Sequence, residues 1–446
     1  MKKAVISAED RLAAALVPAE EQPYQVPENW CWCHLFVGLS TSKEKTEEFS
    51  DTSVKYVGLE HMAKDGGIVS YSSSEGIKSL KNLFSAGQIL YGKLRPYLNK
   101  HDVASFSGIC STDILVFDVL ATTIPDYVNL FLNLDFFIQY VVSHSKGINL
   151  PRVSESIVLD ASYPLPPLAE QQRIVDRVKS LFAQLDEAKE EAHAVIDGYK
   201  DRKAAILHRA FSGELTAEWR EKHAVSITDW KHKKFSDLCN IVRGGSPRPA
   251  GDPKYYGGNI PFMKVADITQ NNGPYVSSVK YSITESGLKK TRMVEANTLL
   301  LTNSGATLGV PAISTFRTTL NDGIAAFLNL DSESLLFFYF FWLSKTDELR
   351  AINMGAAQPN LNTNIIGSIE VDVPPIIEQH EIVRRLDCLL SNEAEIKSAA
   401  EDTIAQIDTL RQSILARAFR GELGTNDSED EPALNLLKRT LTNPEV

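Results

Sequence analysis

The chain has 446 residues, about three times the ~150 of a typical domain, so several domains are expected. Hydrophobic residues make up 43% and charged residues 23%, which excludes wholesale disorder. The 46 Lys and Arg stand against 57 Asp and Glu, a net of -11, which argues against holding nucleic acid through bulk positive charge.

At the N-terminus, Glu9, Asp10 and Arg11 interrupt the residues that a secretory signal would need apolar, and 1–27 read as a short helical arm. Residues 28–165 follow as a mixed α/β domain. Short β-rich runs, Gln88–Tyr91 and Asp113–Phe117, alternate with polar turns, and an apolar helical stretch covers Tyr127–Ser143. Cys31 and Cys33 form a CxC without a second pair to complete a tetrahedral zinc site, so they read as strand residues. Five scattered cysteines make no disulfide framework, and a reducing cytoplasm fits best.

Residues 166–222 open on Pro166-Pro167 and then run about 45 residues without proline, as a helix would. Their apolar residues form a heptad seam: Val178, Leu181, Leu185, Ala188, Ala192, Val195, Tyr199 and Ile206. Such a helix is roughly 65 Å long at 1.5 Å per residue. A second α/β domain spans 223–373, with the run Thr298–Thr302 and a helical stretch Ser334–Leu349. Within it lies the longest apolar run, Leu335–Leu343, nine residues against the ~20 needed to cross a bilayer. Residues 374–423 form another long helix with a seam of Leu386, Leu389, Ile396, Ala400, Ile407, Leu410 and Ile414. The acidic residues 424–446 read as a flexible tail.

The two helical segments are copies. Residues 166–215 align without a gap on 374–423 at an offset of 208, with 20 of 50 positions identical. Both begin with Pro-Pro, and Ser212-Gly213 and Arg420-Gly421 supply the stops. A helix with so narrow a seam needs a partner, and the other copy is the obvious one. Arg202 and Glu393 interrupt the two seams and are placed to set their register. The expected fold is therefore α+β: two mixed α/β domains joined by two long helices that pair as an antiparallel coiled coil, a pseudo-twofold internal repeat.

These motifs carry a family resemblance. PLPPLAEQQRIV with AFSGELTAEWR, and VPPIIEQHEIV with AFRGEL, are similar to the conserved regions of Type I restriction-modification specificity subunits. ILYGKLRPYLNK, GICSTDILVF, GGSPRP, IPFMKVADI and SGATLGV resemble landmarks of the same family, and the likeness covers residues 10–423. The resemblance implies a non-catalytic subunit whose two target-recognition domains, 28–165 and 223–373, each read half of an asymmetric bipartite site on double-stranded DNA. It implies that the paired helices act as a ruler and dock two adenine-N6 methyltransferase subunits, and, for restriction, two translocase-nuclease subunits. S-adenosylmethionine would belong to the methyltransferase, where the target adenine is flipped, and ATP and Mg to the restriction partner, with no cofactor in this chain. No GxxxxGK[ST], helix-opening GxGxxG or Asn-Pro-Pro-aromatic stretch is found, in keeping with that role. A coiled-coil adaptor binding protein through its two α/β domains is the alternative.

Candidate DNA-reading residues can be named. In the first domain Lys93, Arg95 and Lys100 are interleaved with Tyr91, Tyr97 and Asn99, a mixture able to bind phosphate or base edges. Lys146, Asn149 and Arg152 surround a second turn at Gly147. In the second domain, residues 231–254 hold six basic and two acidic residues. Arg243, Arg248 and Lys254 flank Gly244-Gly245-Ser246, a turn that would let the backbone approach a phosphate, with Tyr256 and Lys264 beyond. Gln358, Asn360, Asn362 and Asn364 offer amides for adenine edges, although asparagine also simply makes turns. Ser304 and Thr307 complete the set. The first domain nets -4 and the second +1, so the chain alone should bind DNA weakly.

Overall fold

The first long helix begins at Leu168, directly after its Pro-Pro pair, and runs unbroken to Phe211; the second runs from Ile376 to Ala418. Just past each end, Gly213 (φ 81°) and Gly421 (φ 71°) occupy the left-handed region that terminates helices. A Cβ on Gly421 would also come within 2.4 Å of Pro27 Cγ, so that stop is glycine for two reasons. The computed structural model describes residues 7–47, 54–305, 307–352 and 361–442. The chain divides into two units, 1–192 with 402–446, and 193–401, so each unit holds part of both long helices.

The helices pair antiparallel within each unit. In the first, Arg411 bonds Asp186 while Lys189 lies 3.9 Å from Asp408; in the second, Arg202 meets Glu393 at 2.8 Å and Lys397 covers the Tyr199 ring. The first seam is buried or half-buried at every expected position. The second departs from expectation at two points: Ile396 is 49% and Leu410 47% exposed. Lys397 and Arg411 take their places. Each holds its charge over an aromatic ring of the other helix, Lys397 on Tyr199 at 5.6 Å and Arg411 on Phe182 at 4.7 Å. Long basic side chains can cover apolar surface while their heads stay wet, so hydrophobicity alone misplaced the stripe by one residue.

The repeated Glu-Gln after each Pro-Pro closes the helix ends. Glu378 is fully buried and accepts from Thr216 Oγ1 (2.7 Å), Arg220 Nη1 (2.6 Å) and Trp230 Nε1 (2.9 Å). Its copy Glu170, equally buried, accepts from Thr425 Oγ1 (2.7 Å) and Arg173 Nε (3.1 Å). Burial pushes the Glu170 carboxyl above its ordinary value, against the hydrogen bonds from Thr425 and Arg173. Gln171 and Gln379 each donate to the carbonyl of the first proline of their pair, at 3.0 and 2.9 Å.

Both units share one plan around those helices. A two-stranded ladder opens each: Cys31–His34 on Ser162–Leu165, and Lys231–Lys234 on Glu370–Val373, both antiparallel. One sheet follows the order Leu39–Thr41, Ile114–Val119, Ile89–Gly92, His101–Val103. Its counterpart runs Asn240–Arg243, Ile324–Leu328, Thr298–Thr302, Pro311–Ser314, with Tyr275–Val276 added. A second sheet pairs Lys55–Val57 with Gly108–Cys110 in parallel, as Tyr256–Met263 pairs with Thr318–Leu320. The apolar stretches are helical as expected, Pro125–Phe131 and Asp135–Ser143 in one unit and Leu335–Ile352 in the other. They carry the aromatic cores, with Tyr127 stacked on Phe419 at 4.8 Å and Phe235 against Trp342 at 4.6 Å.

The tail is not free. Arg173 bonds Asp430, the Ala433 N–H donates to Asn29 O at 2.9 Å, and 433–442 form a helix with Ala433 and Leu437 buried. It packs on the N-terminal helix Ala8–Ala15, where Arg11 donates to Leu441 O at 3.2 Å. The acidic run 427–431 precedes an amphipathic helix, and that helix's apolar face is what the N-terminal helix buries. Among the described residues, no helix is long and apolar enough to cross a membrane, and no His/Cys/Asp/Glu group is arranged to hold a metal ion.

Candidate nucleic-acid interface

In the first unit two loops come together. Lys146 and Arg152 exchange backbone hydrogen bonds of 2.9 and 2.8 Å, closing a hairpin over Gly147–Pro151. The Arg95 N–H donates to Pro151 O at 2.8 Å and the Val153 N–H to Lys93 O at 3.0 Å, so the hairpin is anchored on the loop 93–100. This gathers Lys93, Arg95, Tyr97, Lys146, Asn149 and Arg152. All but the half-buried Lys93 are exposed. Asp113 lies 4.0 Å from Lys93 and 3.7 Å from Arg152 and offsets part of their charge.

Three expected readers in that loop hold the protein together instead. Tyr91 is fully buried in the core, and burial drives its phenol far above the ordinary range. Asn99 is fully buried and donates to Leu132 O at 2.9 Å. Lys100 is half-buried, its Nζ donating to Leu59 O at 2.7 Å. Tyr91 lies in a strand buried on both faces, with Ile89 and Leu90 equally buried, and Asn99, at φ 44°, turns the chain with its amide facing the helical pair.

The glycine turn of the second unit is likewise structural. A Cβ on Gly244 would meet Asn321 O at 2.2 Å, and one on Gly245 would meet Lys290 O at 2.5 Å. These glycines admit neighbouring protein backbone. Asp322 organises the turn: Arg243 Nε donates to its carbonyl at 2.5 Å and Ser246 Oγ to its carboxylate at 2.7 Å. Tyr256 OH is spent on Pro247 O at 2.7 Å, and the Lys264 ammonium sits 3.3 Å from the Tyr281 ring centroid. Arg248, 74% exposed and only 3.9 Å from Asp322, and the exposed Lys254 remain available.

Ser304 is half-buried and Thr307 exposed, the latter's carbonyl accepting from Thr302 Oγ1 at 2.7 Å. Asn362 caps the helix Thr363–Ser368, its Oδ1 accepting from the Ile365 N–H at 2.9 Å, while Asn364 is exposed. Gln358 and Asn360 lie outside the described residues. A further basic group lies beside the glycine turn. Lys289, Lys290 and Arg292 are exposed, and the backbone of Lys290 abuts Gly245, which sets them beside the Arg248 turn. The run KKTR signalled them, but only folding brings that run against residues forty positions earlier.

Residues 227–406 match the family described as Type I restriction modification DNA specificity domain. Over those residues, and more distantly along most of its length, the chain is similar to Type I specificity subunits. The chain is 28% identical over 318 residues to the Type I restriction enzyme EcoBI specificity subunit of Escherichia coli, across 67% of this chain and 66% of that one. It is 24% identical over 342 residues to the EcoKI specificity subunit of Escherichia coli strain K12, across 74% and 71%. The chain thus spans about two thirds of the EcoBI subunit's length. Its fold is that of the HsdS subunit from Thermoanaerobacter tengcongensis, with a TM-score of 0.69 at 23% identity, covering 90% of this chain and 100% of that one. Its antiparallel helix pair and twin mixed sheets are therefore a specificity-subunit fold.

Proposed function

We propose that this chain reads an asymmetric bipartite site on double-stranded DNA, one half-site per unit. The observation that carries this reading is the shared plan with unlike side chains at equivalent places. Lys93 and Arg95 follow the strand Ile89–Gly92, whereas Asn303 and Gly305 follow its counterpart Thr298–Thr302. Two frames of one design with different surface chemistry suit two different half-sites. The basic side chains that would contact DNA are the half-buried Lys93 with the exposed Arg95, Lys146 and Arg152 in one unit, and the exposed Arg248, Lys254, Lys289, Lys290 and Arg292 in the other. Tyr97, Asn149, Thr307 and Asn364 add hydrogen-bonding groups, and Gln358 and Asn360 belong to the same set.

In this reading the chain is a non-catalytic subunit. Its duplicated helices dock two copies of an adenine-N6 methyltransferase, which binds S-adenosylmethionine, and translocase-nuclease subunits using ATP and Mg join for restriction. The chain's own net charge of -11 leaves much of the phosphate grip to those partners. Selection from random duplexes, with the co-expressed methyltransferase present, tests the proposal. A motif of two parts with a fixed gap is the expected result. No enriched motif, or a gel-shift in which the isolated chain equals the complex at physiological salt, would count against it.

A further inference from the structure

The hairpin over Gly147–Pro151 carries an unusual side chain. Ile148 is 101% exposed, as open as in an extended peptide, and Leu150 beside it is 47% exposed. The hairpin that displays them is well built. Its base is closed by the two hydrogen bonds between Lys146 and Arg152, and it is tied to the neighbouring loop through Pro151 O and the Val153 N–H. Gly147, at φ 107°, makes the turn possible, since a Cβ there would meet Leu150 O at 2.9 Å. A defined turn thus holds two branched apolar side chains in water.

The charge around the tip identifies the occupant. Lys146 and Arg152 form the hairpin's base, Arg95 donates its N–H to it, and Lys93 accepts from Val153. Asp113 is the carboxylate paired with this group. A cationic collar around an apolar point complements a nucleic-acid groove, where the collar meets phosphates and the point meets base faces. Tyr97, 49% exposed on the adjoining loop, adds a second ring-sized surface.

We infer that Ile148 is a wedge: as the first unit engages its half-site, this side chain inserts against a base step and partly unstacks it. The inference rests on the DNA-reading function proposed above and deepens it. It assigns a local distortion of the duplex to one named residue, and with it a preference for easily unstacked pyrimidine–purine steps.

The test uses the full chain with its methyltransferase subunits and a duplex selected as above, carrying 2-aminopurine singly at each adenine of the half-site read by residues 28–165. Wild type should raise the fluorescence at one step on binding. Ile148→Ser should abolish that rise and weaken binding on the order of ten- to a hundredfold, the transfer free energy of one buried isoleucine. Ile148→Leu should retain both properties. Because the side chain touches solvent only, all three proteins should melt at the same temperature. Ile148→Ser with wild-type affinity and fluorescence would overturn the wedge while leaving DNA reading intact. Loss of methyltransferase co-purification in that variant would also overturn it, making the tip a protein contact. Failure of wild type to select any duplex would instead remove the underlying function, and the wedge with it.

Discussion

Arg202 on the first long helix donates through Nε to Glu393 on the second at 2.8 Å, across 191 residues of sequence. Arg202 is held from behind as well, its Nη2 donating to Val195 O at 2.9 Å. The Glu393 side chain is only 16% exposed, so the pair is part of the seam and not a surface decoration. A double-mutant cycle of Arg202→Ala and Glu393→Ala should give a coupling of about 1 kcal/mol, reduced at high salt. Urea unfolding of the four proteins measures it, and additive effects would show that the seam is indifferent to the pair.

Glu378 should matter more. With three donors on a fully buried carboxylate, Glu378→Ala strands Arg220, whose side chain is 11% exposed. A loss of about 3 kcal/mol or more is expected, the usual cost of breaking a buried pair from one side. Glu378→Gln keeps the acceptor oxygen for Trp230 or Thr216 and should cost less. Thermal melts of the two variants give the comparison, and equal losses would mean that packing rather than charge closes the helix end.

Tyr91 and Arg95 are expected to separate framework from reader within five residues. The Tyr91 hydroxyl is buried with no hydrogen-bond partner among the described residues. Tyr91→Phe should leave DNA affinity unchanged and stability equal or up to about 1 kcal/mol greater, since an unpaired buried hydroxyl is removed. Arg95→Ala should weaken binding of the complex without lowering its melting temperature. Filter binding beside calorimetry reads both, and a Tyr91→Phe protein defective in DNA binding would return that residue to the interface.

Lys289 and Lys290 are expected to act on phosphates. Replacing each by Ala should lower the magnitude of the slope of log K against log salt by about 1, while the selected motif stays the same. A changed motif with an unchanged slope would mean base contacts instead.

Acid should act through Glu381. Its hydrogen bond from Arg384, joined by one from Arg385, holds the carboxyl at about 2, below the ordinary 4.5. A folded value below the unfolded one means that the group binds its proton less readily when folded. Its contribution is therefore full above pH 4.5 and is lost as pH falls toward 2. Stability curves should show Glu381→Gln losing less than wild type across that window, and parallel curves would deny the pair a role.

Much of the framework was legible because it is periodic or duplicated. Pro-Pro starts, Gly stops and a heptad stripe are local rules, and an offset of 208 with both ends in register leaves little freedom for anything but two copies of one helix. The seam departs from the heptad stripe only at Ile396 and Leu410, where Lys397 and Arg411 hold their charged heads over the partner's rings. The tail helix was missed because Ala433 and Leu437 find their partners at the other end of the chain.

The interface was less legible, for a reason visible in three residues. Composition marked Tyr91, Asn99 and Lys100 as able to read DNA, and their chemistry is indeed suited to it. Yet a strand buried on both faces, a turn at positive φ and a carbonyl 2.7 Å away direct all three inward. The converse holds for Ile148, which sequence alone would bury and the hairpin exposes.

By itself, then, the sequence determined the paired helices, the twin α/β units and the family resemblance, because each depends on neighbours a few residues away or on likeness between distant segments. Only the tertiary structure decided which basic and polar side chains face solvent, that Lys290 joins the Arg248 turn, and that Gly244 and Gly245 admit backbone. Those outcomes depend on which segments far apart in the chain come within a few ångströms, and residue type carries no record of that distance.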